Sequence, residues 1–524
     1  MECSLECLLT ETCVHRETRW FTNPGRCKIH IFCISSPTVA DWCEVGQVTV
    51  DMLPDVVLLE IFDFYLNWAR RQHDEYDYMN WIAIQSWHTL VHVCQKWRTI
   101  VLGSPHRLDL QLFCKATTPV NETLAVWPPL PIVIGQHGPL EYLQMDNIIA
   151  ALEHNDRVCE ILFLNVTNSG LEEVLAAMQQ PFPELTRLDM WLLDDWDGWE
   201  VVDEMGETPV VTESFLGASA PLLRYLDLDS IPFPGLPKLL SSATGLVTLY
   251  LEDIPHSGYI SPEAMVRCLS TLTRLESLVI DFKSPLSRPS RETRRPHSPT
   301  RSILLALTYF RFEGVSEYLE DFVARIDAPL LDAFDIRFFH QLIFDTPQLT
   351  QFIARTPNTQ PPVQARVAFS HRNVAVTCTG TYLRNFSLGI NCGQSDWQLS
   401  SLAQFCNSSF PEAFIPTVGH LYIYEKNYPQ PDWQDDIEDS QWLEVLHPFT
   451  AVKDLFLSRE FASRIVPALQ ELTGEVLPSL QNIFLEDLHP SAPVQGAIGK
   501  FVAARQLSGH PIAVSHWDGT QDKW

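Results

Sequence analysis

The chain has 524 residues, of which 46% are hydrophobic and 11% aromatic. That is enough apolar material for a large core, and it excludes global disorder. Acids outnumber bases 65 to 36, a net charge of −29. Generic binding to nucleic acid or anionic lipid is therefore excluded, and any charged partner is expected to be basic.

Residues 1–50 hold Cys3, Cys7, Cys13, Cys27, Cys33 and Cys43, with His15 and His30 among them. The close C-x2-C pairs of zinc sites are missing, so a poorly ordered Cys-rich leader without metal is expected. The start, MECSLECLLTETC, lacks the basic and continuous apolar regions of a secretory signal. The thirteen cysteines are then expected as reduced thiols in a cytoplasmic or nuclear protein. No apolar run approaches the roughly 18 residues of a membrane span.

Residues 51–113 change character. MLPDVVLLEIFDFYL is apolar on nearly every side, with Pro54 suited to a first helical turn and Asp51 to a cap. An insert, NWARRQHDEYDYMNWIAIQSW, follows. Next, Leu90, Val93, Cys94, Trp97, Ile100 and Val101 recur at helical spacing until Gly103 and Pro105 stop them. Leu108, Leu110 and Leu112 alternate and predict a short strand. Residues 114–155 contain AVWPPLPIVI and are expected to form an extended connector.

Residues 156–515 repeat an apolar-x-x-apolar-x-apolar unit. LTRLDM starts at Leu185, LRYLDL at Leu223, LVTLYL at Leu246 and LESLVI at Leu275. Looser copies start at Val158, Leu307, Leu331, Leu383, Val418, Val452 and Leu480, making eleven at intervals of 23 to 52 residues. A further strand is expected near QARVAF, inside the longest interval. Strands alternating with helices at this period predict an α/β fold, an irregular leucine-rich-repeat solenoid. Residues 283–301 carry six bases, one acid and four prolines and are expected as an exposed loop. Residues 516–524 are expected to be a tail.

LPDVVLLEIFDFY followed by VHVCQKWRTIVLGSP resembles an F-box, particularly those of F-box proteins from mushroom-forming fungi. The resemblance covers about 60 residues; the remainder matches that family only in architecture. It implies a small helical module that docks a Skp-type adaptor, and through it a cullin. The adaptor-binding residues it implies are Leu53, Pro54, Leu58, Ile61, Phe62, Val93, Cys94 and Trp97. A helix apolar on all sides also needs neighbours on all sides, which agrees with docking.

In the repeats, strand alternation sends the leucines inward and the fifth and seventh positions to a concave face. Ten copies place eight acids and two bases there. The first half is acidic and the latter half aromatic. The expected target-binding residues are Asp189, Trp191, Asp227, Asp229, Tyr250, Glu252, Asp281, Arg311, Tyr422 and Tyr424, facing a protein with a basic segment. The basic loop is a candidate occupant of the same face, with Ser284-Pro285 and Ser298-Pro299 as phosphorylation candidates.

No phosphate-binding loop, nucleophile elbow or H-E-x-x-H motif occurs. DDWDGWE at 194–200 lacks an EF-hand frame. The chain is accordingly expected to be a non-catalytic, cofactor-free substrate receptor of a Skp–cullin–F-box ubiquitin ligase. The alternative expectation is a leucine-rich-repeat interaction scaffold without ligase delivery.

Overall fold

The computed structural model describes residues 53–71, 86–137, 145–192, 209–289, 301–339, 345–356, 361–370, 373–380, 385–391, 395–411, 414–426, 439–471, 476–486 and 492–518. The leader, Asp51, the 72–85 stretch of the insert, the acidic Trp-rich segment at 193–208, the 290–300 stretch of the basic loop and residues 519–524 lie outside them. The chain divides into two compact units, Met1–Leu110 and Gln111–Trp524.

In the first unit, α1 spans Asp55–Arg71, α2 Trp87–Val91 and α3 Gln95–Leu102. Pro54 precedes α1, and its carbonyl accepts the N–H groups of Val57 and Leu58 at 3.0 and 3.1 Å. The stripe from Leu90 to Val101 is two helices rather than one. Cys94 is extended (φ −159°) and its Sγ accepts the Trp97 N–H at 3.5 Å. A cysteine sulfur thus does at this N-cap what a serine or threonine oxygen usually does. Periodicity cannot register such a break, because the apolar spacing runs straight through it. Leu108 lies in a turn, and the predicted strand begins only at Leu112.

The second unit opens with β1 (Leu112–Cys114), α4 (Val120–Val126), β2 (Ile132–His137), α5 (Met145–Leu152), β3 (Val158–Val166), α6 (Asn168–Ala177) and β4 (Arg187–Leu192). It continues through β5 (Tyr225–Asp229), α7 (Leu236–Leu240), β6 (Thr248–Ile254), α8 (Pro262–Leu269), β7 (Ser277–Phe282) and β8 (Ser302–Ile303). Then come β9 (Tyr309–Gly314), α9 (Ser316–Val323), β10 (Ile326–Asp327), β11 (Ala333–Phe338), α10 (Pro347–Arg355), β12 (Gln364–Phe369), β13 (Asn373–Thr379) and β14 (Asn385–Asn391). The last are α11 (Ser395–Ser408), β15 (His420–Glu425), α12 (Asp439–Leu446), β16 (Asp454–Leu457), α13 (Arg459–Glu471), β17 (Asn482–Leu485), α14 (Ala492–Leu507) and β18 (Ala513–His516).

Among the described residues one 16-stranded sheet runs in the order β1-β2-β3-β4-β5-β6-β7-β9-β11-β14-β13-β12-β15-β16-β17-β18. Every pairing is parallel except those of β13, which is antiparallel to β12 and β14. The mixed α/β fold, parallel sheet and strand–helix repeat therefore stand, and each of the eleven motif copies coincides with a strand. The expected connector does not: residues 114–155 hold β2 and two helices, and β1 and β2 are sheet strands. Its prolines sit at the turn into β2, where missing N–H groups are harmless. The tail also begins later than expected, because β18 runs to His516 and Trp517 is buried. QARVAF is β12 as expected, but it joins a β12-β13-β14 meander that reverses the repeat order.

The strands bury alternate residues. In β6, Leu249, Leu251 and Ile254 are buried while Tyr250 and Glu252 are half-buried. The buried set joins helix residues such as Met265 and Leu269 in a continuous core. Several of the looser motif copies carry phenylalanine where the tighter ones carry leucine: Phe310 and Phe334 stack at 5.1 Å across β9 and β11. Local capping sets the helix starts. Ser261 accepts the Ala264 N–H at the head of α8, and Thr167 accepts the Gly170 N–H at the head of α6.

Polar ties between repeats are fewer and more specific. Glu320 on α9 accepts the backbone N–H groups of Gln348 and Leu349, at 2.9 and 2.8 Å, at the start of α10. Burial pushes its carboxyl up to about 7, against the pull of those two bonds. Glu320→Ala leaves both amides without acceptors and is expected to cost about 1–3 kcal/mol. Glu320→Gln, which keeps one acceptor oxygen, is expected to cost less. Urea unfolding of the three proteins measures the difference.

Candidate partner-binding faces

Two surfaces stand out. The first is on α1. At 3.6 residues per turn, Leu58, Phe62 and Leu66 line one side of the helix and are buried. Phe62 meets the Trp97 ring at 4.7 Å. Val57, Ile61, Phe64 and Trp68, spaced 4, 3 and 4 residues apart, line another side and are between 41% and 51% exposed. The helix thus has two apolar stripes, one closing the module's interior and one facing outward. Val56 on α1 and Val93 in the turn between α2 and α3 are also exposed. Lys96 ties the helix start to α3, donating to the Leu53 carbonyl at 2.9 Å and lying 3.6 Å from Asp55. Arg107 pairs with Glu60.

The eight expected adaptor residues therefore divide. Pro54, Ile61 and Val93 are exposed; Leu53, Cys94 and Trp97 are partly so; Leu58 and Phe62 are interior. Leu58 and Phe62 close the interior of the helical unit rather than face outward. Val57, Phe64 and Trp68 were not among the expected adaptor residues. The i, i+4, i+7, i+11 spacing held the signal, but a helix apolar all round conceals which stripe faces out.

The second surface is the polar face of the sheet, opposite the leucines. Register aligns its residues in rows: Asp189, Asp227 and Tyr250 are consecutive partners, as are Trp191, Asp229 and Glu252. Val279, Arg311 and Asp335 continue one row, and Asp281, Glu313 and Arg337 the other. All ten expected target residues lie on β4 to β7, β9 or β15, on this face as the alternation requires.

The acids are not simply solvated. Asp189, Asp227 and Asp281 are 2%, 3% and 3% exposed. Arg187 donates to Asp189 at 3.1 Å and lies over the Tyr225 ring at 4.2 Å. The Tyr225 hydroxyl donates to Asp227 Oδ2 at 3.2 Å. Arg311 reaches Asp281 at 2.7 Å and Glu252 and Glu313 at 3.9 Å. Arg337 lies 3.6 Å from Glu313 and 3.7 Å from Asp335. Burial, then the neighbouring Asp189 and Glu252 carboxylates, push Asp227 up to about 8. Burial pushes Asp281 up to about 8 against the pull of Arg311. Asp189, Glu252 and Glu313 are raised for the same first reason. Arg187 and Tyr225 escaped the sequence reading because it stopped at the fifth and seventh motif positions; the third position faces the same way.

The aromatic half is a ladder. Tyr422 and Phe456 stack at 4.1 Å and 6°, and Phe456 and Phe484 at 4.5 Å and 8°. Trp517 closes edge-on at 5.8 Å from both Tyr422 and Phe456. Arg366 lies 5.5 Å from the Tyr422 ring centroid. Trp517→Ala removes a buried edge from this ladder and is expected to cost about 3 kcal/mol or more in stability. Loss of near-ultraviolet circular dichroism, alongside a lower urea midpoint, registers it.

No protein-family model and no curated protein matches the chain. Among solved structures, it is similar to the leucine-rich repeat-containing protein LegL7 from Legionella pneumophila. The match has 14% identity and a TM-score of 0.27, and covers 64% of this chain and 94% of that chain.

Proposed function

We propose that this chain is the non-catalytic substrate receptor of a Skp–cullin–F-box ubiquitin ligase. The helical unit docks a Skp-type adaptor and through it a cullin, and the polar face of the sheet holds the protein target. The observation that carries this reading is the second apolar stripe on α1. Four large side chains at helical spacing, each about half exposed, form a surface whose burial by a partner is favourable at about 25 cal/mol per Å2. That stripe lies within the segment whose wording resembles an F-box. The coarser reading, a protein-interaction scaffold, rests on the sheet face alone.

The mechanism is proximity. One unit holds the adaptor, the other holds the target, and a target lysine meets charged ubiquitin at high effective concentration. No side chain of this chain enters the chemistry. Affinity capture with the tagged full chain tests it. Joint recovery of adaptor and cullin, with adaptor-dependent ubiquitylation of a co-captured protein, supports the receptor. Recovery of other proteins without adaptor rejects it in favour of the scaffold.

A further inference from the structure

The two edges of the large sheet are unlike. β1 is buried along its length. β18, whose one strand partner among the described residues is β17, is exposed at every residue. The Ala513 N–H donates to the Gln481 carbonyl at 2.9 Å, and the Trp517 N–H to the Leu485 carbonyl at 2.8 Å. Backbone groups alternate sides along a strand, so the N–H and C=O groups of Val514 and His516 point away from β17. Sheet edges are usually blunted by charge, proline or a bulge. β18 pairs with β17 in unbroken register and carries no proline, lysine, arginine or acid. An open groove of about 490 Å3 adjoins this edge. Leu485 of β17, Ile498, Val502 and Ala503 of α14 and Val514 of β18 line it, and none of its lining residues is charged.

We propose that β18 pairs with β18 of a second copy of this chain, antiparallel about a two-fold axis at Ser515, so that the two sheets continue as one. The edge is complementary to itself. Pairing about Ser515 sets Val514 opposite His516 of the second copy, and His516 opposite its Val514. These are the residues whose backbone groups point outward, so each pair exchanges both of its N–H···O bonds and every outward group is satisfied. Val514 and His516 share one face of the strand, so both copies keep their helices on the same side of the joined sheet.

Charge selects the same contact. Each chain carries −29, and two such chains repel. Residues 492–517 hold no acid, so α14 and β18 let two copies meet without apposing carboxylates. The uncharged groove offers no advantage to a charged partner of another kind. The contact also continues one the chain already makes, because each strand from β2 to β17 in this sheet is paired on both sides. The proposal does not rest on the ligase reading. Where the polar face holds a target, the dimer presents that face twice, and a target with two binding segments gains avidity.

Sedimentation equilibrium of the full chain tests the pairing. The chain is expected to shift from monomer to dimer between about 1 and 100 μM. Gly499→Arg fills the groove at a position where an added Cβ meets nothing within 4 Å in its own chain. Val514→Lys puts a cation on the edge. Together they are expected to leave a monomer over that range, with the urea midpoint of the wild type. Ser515→Cys is expected to give a disulfide-linked dimer on mild oxidation, above the wild-type background. Opposite residues of a non-hydrogen-bonded antiparallel pair lie about 4.5 Å apart between Cα atoms, within disulfide reach. Ala513→Cys, opposite position 517 in this register, is expected to give several-fold less. A wild-type chain that stays monomeric, a dimer that persists in Gly499→Arg/Val514→Lys, or equal cross-linking from positions 513 and 515 overturns the proposal. A monomer that dimerises only after removal of residues 519–524 assigns the edge to the chain's own terminus and overturns it too.

Discussion

Ile61→Asp/Trp68→Ala is expected to abolish adaptor capture while leaving the helical unit folded. Both side chains lie on the outward stripe of α1, about half exposed, so removing them takes little from the interior and changes stability by about 0.5 kcal/mol or less. At the centre of an interface, large apolar anchors typically account for about 2 kcal/mol or more each. Aspartate at position 61 also buries a charge against whatever covers the stripe. The combined loss is expected to exceed about 100-fold in affinity. Phe62→Ala is the instructive contrast. Phe62 is fully buried and packs on Trp97, so truncation is expected to cost about 3–5 kcal/mol of stability. It loses adaptor by losing the module. Circular dichroism beside each binding measurement separates the two cases.

The second large effect is on stability against pH. Asp227 and Asp281 ionise at about 8 in the folded chain and at about 4 when unfolded. Their folded values are raised, so the unfolded state binds fewer protons between those limits. Stability is therefore highest below about pH 4 as far as these two groups are concerned. It falls as pH rises, and the fall is complete once pH passes their folded values near 8. Asp227→Asn/Asp281→Asn removes the fall. Above pH 8 the double variant is expected to be the more stable protein by about 2–5 kcal/mol, although it has lost two native side chains. Urea midpoints at several pH values measure this, and equal slopes in both proteins contradict it.

The strand–helix repeat was readable from the sequence because its signal is strictly local. Each L-x-x-L-x-L copy buries its own leucines, so every copy from Val158 to Leu480 marks a strand. What escaped depended on neighbours. β13 carries the alternating NVAVTCT, but nothing in a strand says which way its partners run, and the reversal of β12, β13 and β14 is set by pairing. β2 was hidden by the prolines that punctuate its approach. On the candidate sites, alternation gave the correct face for Asp227 and Tyr250 but not their environment. Arg187 and Tyr225 bond Asp189 and Asp227 from two residues away on the same strands, and Arg311 reaches Asp281 from the neighbouring β9. On α1, the sequence showed an excess of apolar residues but not their division into an inner and an outer stripe. That division depends on where Trp97 and α3 pack.

Hydrogen–deuterium exchange of the full chain with and without a purified Skp-type adaptor tests the receptor reading most directly. Adaptor is expected to slow exchange across residues 53–71 and the α2–α3 segment at 86–105, leaving the sheet strands unchanged. Protection confined to the sheet, or no protection in 53–71 at saturating adaptor, contradicts it.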